Sequence, residues 1–386
     1  MNKILIQDTT LRDGLQSPGI SVDLEGTLAI AKALEDLNVD IIEAGFPASG
    51  SDAFQSVNQI SHTIKHATIR ALCRCLEKDI DVTAEALAPA RSSSLFLFIA
   101  TSPIHMHHKL KKSADTVYEQ AVSMVHYARR LNDNIVFAAE DAGRTNFDFL
   151  CRIIEGVIKA GATTITIPDT VGYLCPNEYK QLIERLRTTI PNADQAIFST
   201  HCHDDLGMAV ANTLAGIEGG ARQVECTING IGERAGNAAL EEVVMALKTR
   251  KDYYGVEVNI NTKKLCKTSK TVSQITAYPT PKNKAIVGKN AFAHESGIHQ
   301  DGILKNPHTY EIIDPNEVGW DYDRIILGKR SGLAGTRHVL EQYGIDRYDD
   351  RIHKAFLNEI KNLPVRKLPV LPGTINQILE KIKKRG

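Results

Sequence analysis

The chain has 386 residues with 46 basic and 46 acidic side chains, a formal net charge of zero that excludes nucleic-acid binding through a strongly basic domain. No apolar run approaches the ~20 residues that span a bilayer, and the first strand begins within a few residues of Met1 with no room for a signal peptide, so a cytoplasmic location is expected. Seven cysteines, at 73, 75, 151, 175, 202, 226 and 266, form neither a disulfide framework nor paired zinc-binding spacing.

Short apolar runs rich in β-branched residues alternate with longer amphipathic stretches. Strands are expected near 3–8, 40–45, 68–75, 94–100, 135–140, 163–168, 196–202 and 223–228. The helical patterns between them fall near 22–38, 51–63, 78–89, 113–132, 146–160, 176–190, 207–219 and 237–249. Eight β/α alternations predict the α/β class and a closed (β/α)8 TIM barrel, with a doubly wound open sheet as the alternative. Polar residues cluster where these strands end: Arg12-Asp13, Glu43, Glu140-Asp141, Asp169-Thr170, His201 and His203, and Asn229. In such barrels the carboxyl ends of the strands carry the chemistry.

Beyond about residue 250 the pattern changes to a helix near 262–276, a link through Tyr278-Pro279-Thr280-Pro281, and a Gly/His-rich segment at 288–302. Helical stretches near 332–346, 350–362 and 373–384 follow, the last ending in the basic Lys381-Ile382-Lys383-Lys384-Arg385, which reads as a solvated helix terminus. The expected organisation is a barrel over 1–255 and a smaller, mainly helical region over 256–386.

His201-Cys202-His203 puts two imidazoles two residues apart at a strand end, where alternation sends both rings to the same side and lets them hold one divalent metal. With thirteen histidines, chance supplies about 0.4 such pairs, and His105/His107 is a second one, so spacing alone decides nothing. His107 and His108 read as surface residues.

Three segments in barrel order supply the context: Asp8-Thr9-Thr10-Leu11-Arg12-Asp13-Gly14, His201-Cys202-His203-Asp204-Asp205-Leu206-Gly207, and Asn229-Gly230-Ile231-Gly232-Glu233-Arg234-Ala235-Gly236-Asn237. Together they resemble the Claisen-type metal-dependent barrel family that contains 2-isopropylmalate, homocitrate and citramalate synthases. The segments 291–302 (Ala291 to Gly302) and 327–332 (Leu327 to Gly332) are similar to the 2-isopropylmalate branch in particular, and the resemblance runs from about residue 4 to about residue 340.

The resemblance implies an acyltransferase that condenses acetyl-CoA with a 2-oxo acid, foremost 3-methyl-2-oxobutanoate to 2-isopropylmalate in leucine biosynthesis, by metal-assisted Claisen condensation and thioester hydrolysis. It implies Asp13, His201, His203 and, more distantly, Asn237 as ligands of a divalent metal, Mn²⁺ or Mg²⁺ with Zn²⁺ also compatible. Arg12 would stabilise the enolate of acetyl-CoA, Thr170 would bond the substrate carboxylate, and His105 and Glu43 would border the substrate. Glu140 would take part in catalysis or structure the pocket. His299 would transfer the proton, with Tyr310 as its partner, both reaching the barrel of a neighbouring subunit in a homodimer. Small-molecule substrates, no nucleic acid and no membrane complete the expectation.

Two departures qualify it. Leu15 follows the Arg-Asp-Gly run where the synthases carry a polar residue, a spelling similar to 3-hydroxy-3-methylglutaryl-CoA lyase, but the lyase's cysteine is missing from the loop Gly230-Ile231-Gly232-Glu233-Arg234. The chain also stops at Gly386, where leucine-regulated synthases continue into a regulatory domain, so a short, leucine-insensitive form is expected. Homocitrate, citramalate and alkylmalate synthases stay open as alternatives, with a lyase-like enzyme and a non-catalytic metabolite-binding paralogue behind them.

Overall fold

A computed structural model of the protein describes residues 3–365, 368 and 370–384. Its strands are β1 Leu5–Asp8, β2 Ile41–Glu43, β3 Thr68–Arg74, β4 Ser93–Ala100, β5 Ile135–Glu140, β6 Thr164–Asp169, β7 Ile197–Cys202 and β8 Gln223–Cys226. Each pairs in parallel with its sequence neighbour and β8 closes onto β1, which gives the barrel and rules out the open sheet. The helices of the repeating units are α1 Leu24–Asp36, α2 Ser51–Thr63, α3 Glu77–Leu87, α4 Ala114–Arg129, α5 Phe147–Ala160, α6 Pro176–Thr189, α7 Ala209–Glu218 and α8 Leu240–Thr249. Local chemistry sets their ends: Asn146 accepts from the Asp148 and Phe149 amides to start α5, and Gly161 ends it at φ 115°.

The strands are buried on both sides, so their sequences read as unbroken apolar runs. In β3, Ile69, Ala71 and Cys73 are fully buried on one face, and Arg70 is 1 % exposed on the other. Arg70 donates to Ser94 Oγ at 2.7 Å and to Gln7 Oε1, while Gln223 bridges Gln7 and Ser199 at 3.0 Å each. This polar layer ties β1, β3, β4, β7 and β8 together inside the barrel. Burial pulls the Arg70 pKa down to about 10, and the charges of Glu225 and Glu43 work against that pull. Arg70→Ala strips those two buried carboxylates of a compensating charge, so a loss of about 3 kcal/mol or more in unfolding free energy is expected from the denaturant midpoint. A loss below about 1 kcal/mol would show that the layer is not held by this charge.

The chain divides into two compact units, Met1–Thr280 and Pro281–Gly386. The division lies later than the expected 255/256 boundary because a further helix, α9 Leu265–Thr276, packs against α1 of the barrel. Ser269 of α9 also exchanges two hydrogen bonds with Asn229, at 2.5 and 3.2 Å, which gives that strand-end asparagine a structural role.

The second unit contains α10 Gly297–Lys305, α11 Leu333–Glu341, α12 Asp350–Lys361 and α13 Pro372–Lys383. Its core gathers Leu327, Leu340, Phe356, Ile360, Val370, Ile375, Ile378 and Leu379. α10 replaces the Gly/His-rich segment of the sequence reading. A Cβ at its interior Gly302 would lie 2.7 Å from the Tyr310 ring, so glycine lets that ring pack close to the helix.

Candidate metal centre and active-site cavity

The turn after β1 brings the first acidic ligand candidate into position. Asp8 is fully buried and accepts from the Thr10 amide at 2.8 Å and its hydroxyl at 2.9 Å; burial pushes its carboxyl up to about 7 against those donors. Thr10 Oγ1 in turn accepts from the Ile228 amide at 2.9 Å and locks the turn to the loop after β8. Arg12 then donates through Nε and Nη2 to Glu43 at 2.7 and 3.2 Å and through Nη1 to Asp13 at 2.5 Å. Burial raises the Asp13 pKa, but Arg12, His201 and His203 outweigh it and hold the carboxylate well below its usual range.

The alternation in β7 brings the two histidines to Asp13. His201 and His203 are each 6 % exposed, their Nε2 atoms lie 3.2 Å apart, and they stand 3.7 and 3.8 Å from Asp13 Oδ2. Donor atoms of these three residues all fall within 4.8 Å of one another. Asn237 joins through an isolated bridge to His203 and donates from Nδ2 to Asp13 Oδ1 at 2.8 Å, while its buried Oδ1 has no partner among the described residues. Gly232 leaves room for this amide, since a Cβ would collide with Asn237 Nδ2. Two buried imidazoles, a carboxylate and an unpartnered amide oxygen fit a divalent cation.

Glu225, which the sequence reading missed, lies behind His201: its Oε2 is 3.1 Å from Nδ1, and its Oε1 accepts from Thr166 and Ser199 at 2.6 and 3.0 Å. Burial lowers the His201 pKa, but Glu225 and Asp13 more than reverse it. His203 has no carboxylate behind it, and burial with the neighbouring His201 pushes it down to about 4, so it presents a neutral imidazole. A carboxylate behind a ligating histidine fixes the ring and raises its basicity.

A cavity of about 330 Å³ opens over this cluster. Its polar wall includes Arg12, Asp13, Gln16, Glu140, Thr166, Thr170, Glu225, Glu233 and Arg234, and its apolar wall includes Phe46, Leu72, Phe96, Phe98, Ala138 and Pro168. Arg12 spends three of its five N–H groups on carboxylates, which leaves two for a ligand. Thr170 Oγ1 accepts from the Asp141 amide at 2.9 Å and keeps its proton available to donate. Glu140 is held by Lys109 at 2.6 Å and lies 3.6 Å from His105 Nδ1.

Two expected substrate contacts lie elsewhere. Glu43 is 0 % exposed behind Arg12, its oxygens taken by Arg12, Thr9 and Gln7, so it positions Arg12 and does not border the cavity. His105 reaches the cavity only through Glu140. Leu15 is also absent from the wall, where its neighbour Gln16 takes part.

His299 and Tyr310 belong to the second unit. His299 is exposed in α10, and Tyr310, 47 % exposed, sets its ring perpendicular to the imidazole with centroids 4.5 Å apart. Beside them, His294 Nε2 is 3.6 Å from Glu311 Oε1, and Arg324 Nη2 donates to Glu311 Oε2 at 2.5 Å.

The chain is similar to known proteins along most of its length. The family described as HMGL-like matches residues 3–272, and "Homocitrate synthase post-HMGL domain-like" matches 286–367. The 2-isopropylmalate synthases of Burkholderia cenocepacia (strain HI2424) and Burkholderia multivorans (strain ATCC 17616 / 249) are each 52 % identical over 379 residues, 98 % of this chain and 74 % of theirs. Among solved structures, the HMG-CoA lyase of Bacillus subtilis superposes with TM-score 0.62 at 19 % identity, covering 73 % of this chain and 96 % of that one. An HMG-CoA lyase from Acinetobacter baumannii, in complex with coenzyme A and 3-methylmalate, gives TM-score 0.61 at 20 % identity over 76 % and 97 %. At these identities the two structures speak for the barrel fold alone.

Proposed function

Since the chain belongs to the HMGL-like family and is 52 % identical to 2-isopropylmalate synthases over 98 % of its length, we propose that it is an acyltransferase condensing acetyl-CoA with 3-methyl-2-oxobutanoate to give 2-isopropylmalate, a step of leucine biosynthesis. The observation that carries the choice of substrate is the cavity wall. Leu72, Phe96, Phe98, Ala138 and Pro168 suit a branched aliphatic side chain. Of the two guanidinium groups on the wall, Arg12 faces the thioester and Arg234 is already paired with Asp205, which disfavours a second substrate carboxylate and hence the homocitrate alternative.

Asp13, His201 and His203, with Asn237 behind them, would hold Mn²⁺ or Mg²⁺, and Zn²⁺ also suits the donor set. When bound, such an ion supplies Lewis acidity toward the oxygens of the 2-oxo acid. Thr170 donates its free hydroxyl proton to the substrate carboxylate. The two uncommitted N–H groups of Arg12 face the thioester oxygen, where negative charge grows as the acetyl methyl loses its proton. The resulting carbanion attacks the ketone carbon, the former ketone oxygen takes up a proton to become the hydroxyl, and water then cleaves the thioester to release CoA as the thiol. His299 carries the proton, Tyr310 sets its ring, and Glu140, held by Lys109, orients the reacting acyl group.

We read the protein as a homodimer with shared sites. Support comes from the exposure of His299 and Tyr310 beside Ile298 and Ile312, 77 % and 85 % exposed, a reactive and apolar face suited to another surface. No helix among the described residues is long and apolar enough to cross a membrane, and we place the enzyme in the cytoplasm.

Thiol release from acetyl-CoA on adding a panel of 2-oxo acids with Mn²⁺ or Mg²⁺ tests the assignment. The expected ranking puts 3-methyl-2-oxobutanoate first and 2-oxoglutarate among the last. No release with any 2-oxo acid would overturn the enzyme reading, and a lead for 2-oxoglutarate would overturn the substrate.

A further inference from the structure

The loop after β4 presents five exposed basic side chains in seven residues, Met106-His107-His108-Lys109-Leu110-Lys111-Lys112, on a chain of zero net charge. Its backbone is unusual. A π-helical turn over Met106–Leu110 ends at Lys111, which adopts the left-handed conformation at φ 53°. Such turns concentrate at functional sites, and a left-handed lysine persists only where its surroundings hold it. Here the Met106 amide bonds Ser102 O at 2.9 Å, and the Lys112 amide bonds Met106 O at 3.1 Å. The Lys112 side chain is fixed by Gln120 of α4 at 2.5 Å, which itself holds Cys75 O at 2.7 Å.

The basic side chains of this loop divide into two sets. Lys109 points to Glu140 at 2.6 Å, and Glu140 lines the catalytic cavity, so one end of the loop touches the reaction site. His107, His108, Lys111 and Lys112 line a separate concavity of about 560 Å³, and among the described residues no carboxylate pairs with either lysine. A shallow basic concavity joined to an active-site rim, with no carboxylate among the described residues paired to its lysines, suits a polyanion whose other end reacts in the cavity.

We infer that this hollow binds the phosphate groups at the nucleotide end of the acyl donor, with Lys111 and Lys112 as the principal contacts. The inference rests on the reading of the donor as a CoA thioester. Lysine ammoniums act toward phosphate as point charges, so the contact contributes to donor affinity and leaves the chemistry alone.

The test is the Lys111→Glu/Lys112→Glu double variant of the full chain, assayed with acetyl-CoA and with acetyl-pantetheine, which carries the same thioester and no phosphate. The KM for acetyl-CoA is expected to rise about tenfold or more, with kcat and the KM values for acetyl-pantetheine and the 2-oxo acid unchanged. In the wild type the KM for acetyl-CoA should climb with salt, and in the variant that slope should flatten. An unchanged KM for acetyl-CoA, or an equal rise for both donors, overturns the site. Should the wild type turn over neither donor, the enzyme reading fails separately. Titration with adenosine 3′,5′-bisphosphate then decides the hollow: binding lost in the double variant supports it, and no binding to the wild type overturns it.

Discussion

His203→Ala is expected to lose metal binding and to lower kcat/KM on the order of 10³-fold, because the several kcal/mol of charge stabilisation attributed to the metal convert at tenfold per 1.4 kcal/mol. His203 is the cleaner of the two histidines to remove. Its Nδ1 has no partner among the described residues, whereas removing His201 would take away the imidazole that stands 3.1 Å from the buried Glu225 carboxylate and raise that carboxylate's desolvation cost. His203→Ala should therefore unfold near the wild-type temperature without metal. With metal, the wild type should gain about 2.7 kcal/mol at one hundred times the dissociation constant, and the variant nothing. A variant that keeps the metal-dependent rise in Tm would remove His203 from the ligand set. Glu225→Gln should weaken metal affinity by about 10- to 100-fold and leave the ligands themselves intact.

The second large effect concerns the other unit. His299→Ala is expected to lower kcat by about 10²- to 10⁴-fold, the usual range for a positioned proton-transfer group. The metal-dependent gain in Tm and the affinity for the 2-oxo acid should stay as in the wild type. Unchanged kcat would sink the assignment. The two variants also test the shared site. Subunit exchange between His203→Ala and His299→Ala yields mixed dimers with one intact site, so about a quarter of wild-type activity should return if the two residues serve each other across the dimer. No recovery after verified exchange would mean that each subunit works alone.

The eight strands were legible because every one is buried on both faces and bounded by turn residues, so pattern and length agreed. The spacing of His201 and His203 did not separate them from His105 and His107; the segments around Asp13, His201, His203 and Asn237 did. The groups that support the site were not. Glu225 stands opposite His201 only through the β7–β8 register, and Glu43 sits behind Arg12 through a turn that folds back over β2. Neither pairing leaves a trace in the spacing of residues. Glu43 was consequently taken for a substrate contact, when its burial and full set of donors make it the anchor of Arg12. α10 was hidden for another reason: glycines at 297 and 302 weaken its helical pattern, and the second of them makes room for the Tyr310 ring.

Asp13 and Asn237 hydrogen-bond across 224 residues of sequence, since the barrel closes its first strand against its last. A ribosome delivers Asp13 early and Asn237 only when the barrel is almost complete. The nascent chain therefore cannot assemble the full ligand set until the final strand and its loop have emerged. With the proposed ligands, capture of the ion would come late in barrel synthesis, and the bound ion would fasten the seam between the two ends of the sheet. Chains that stop before Asn237 should consequently bind the ion more weakly than the closed barrel.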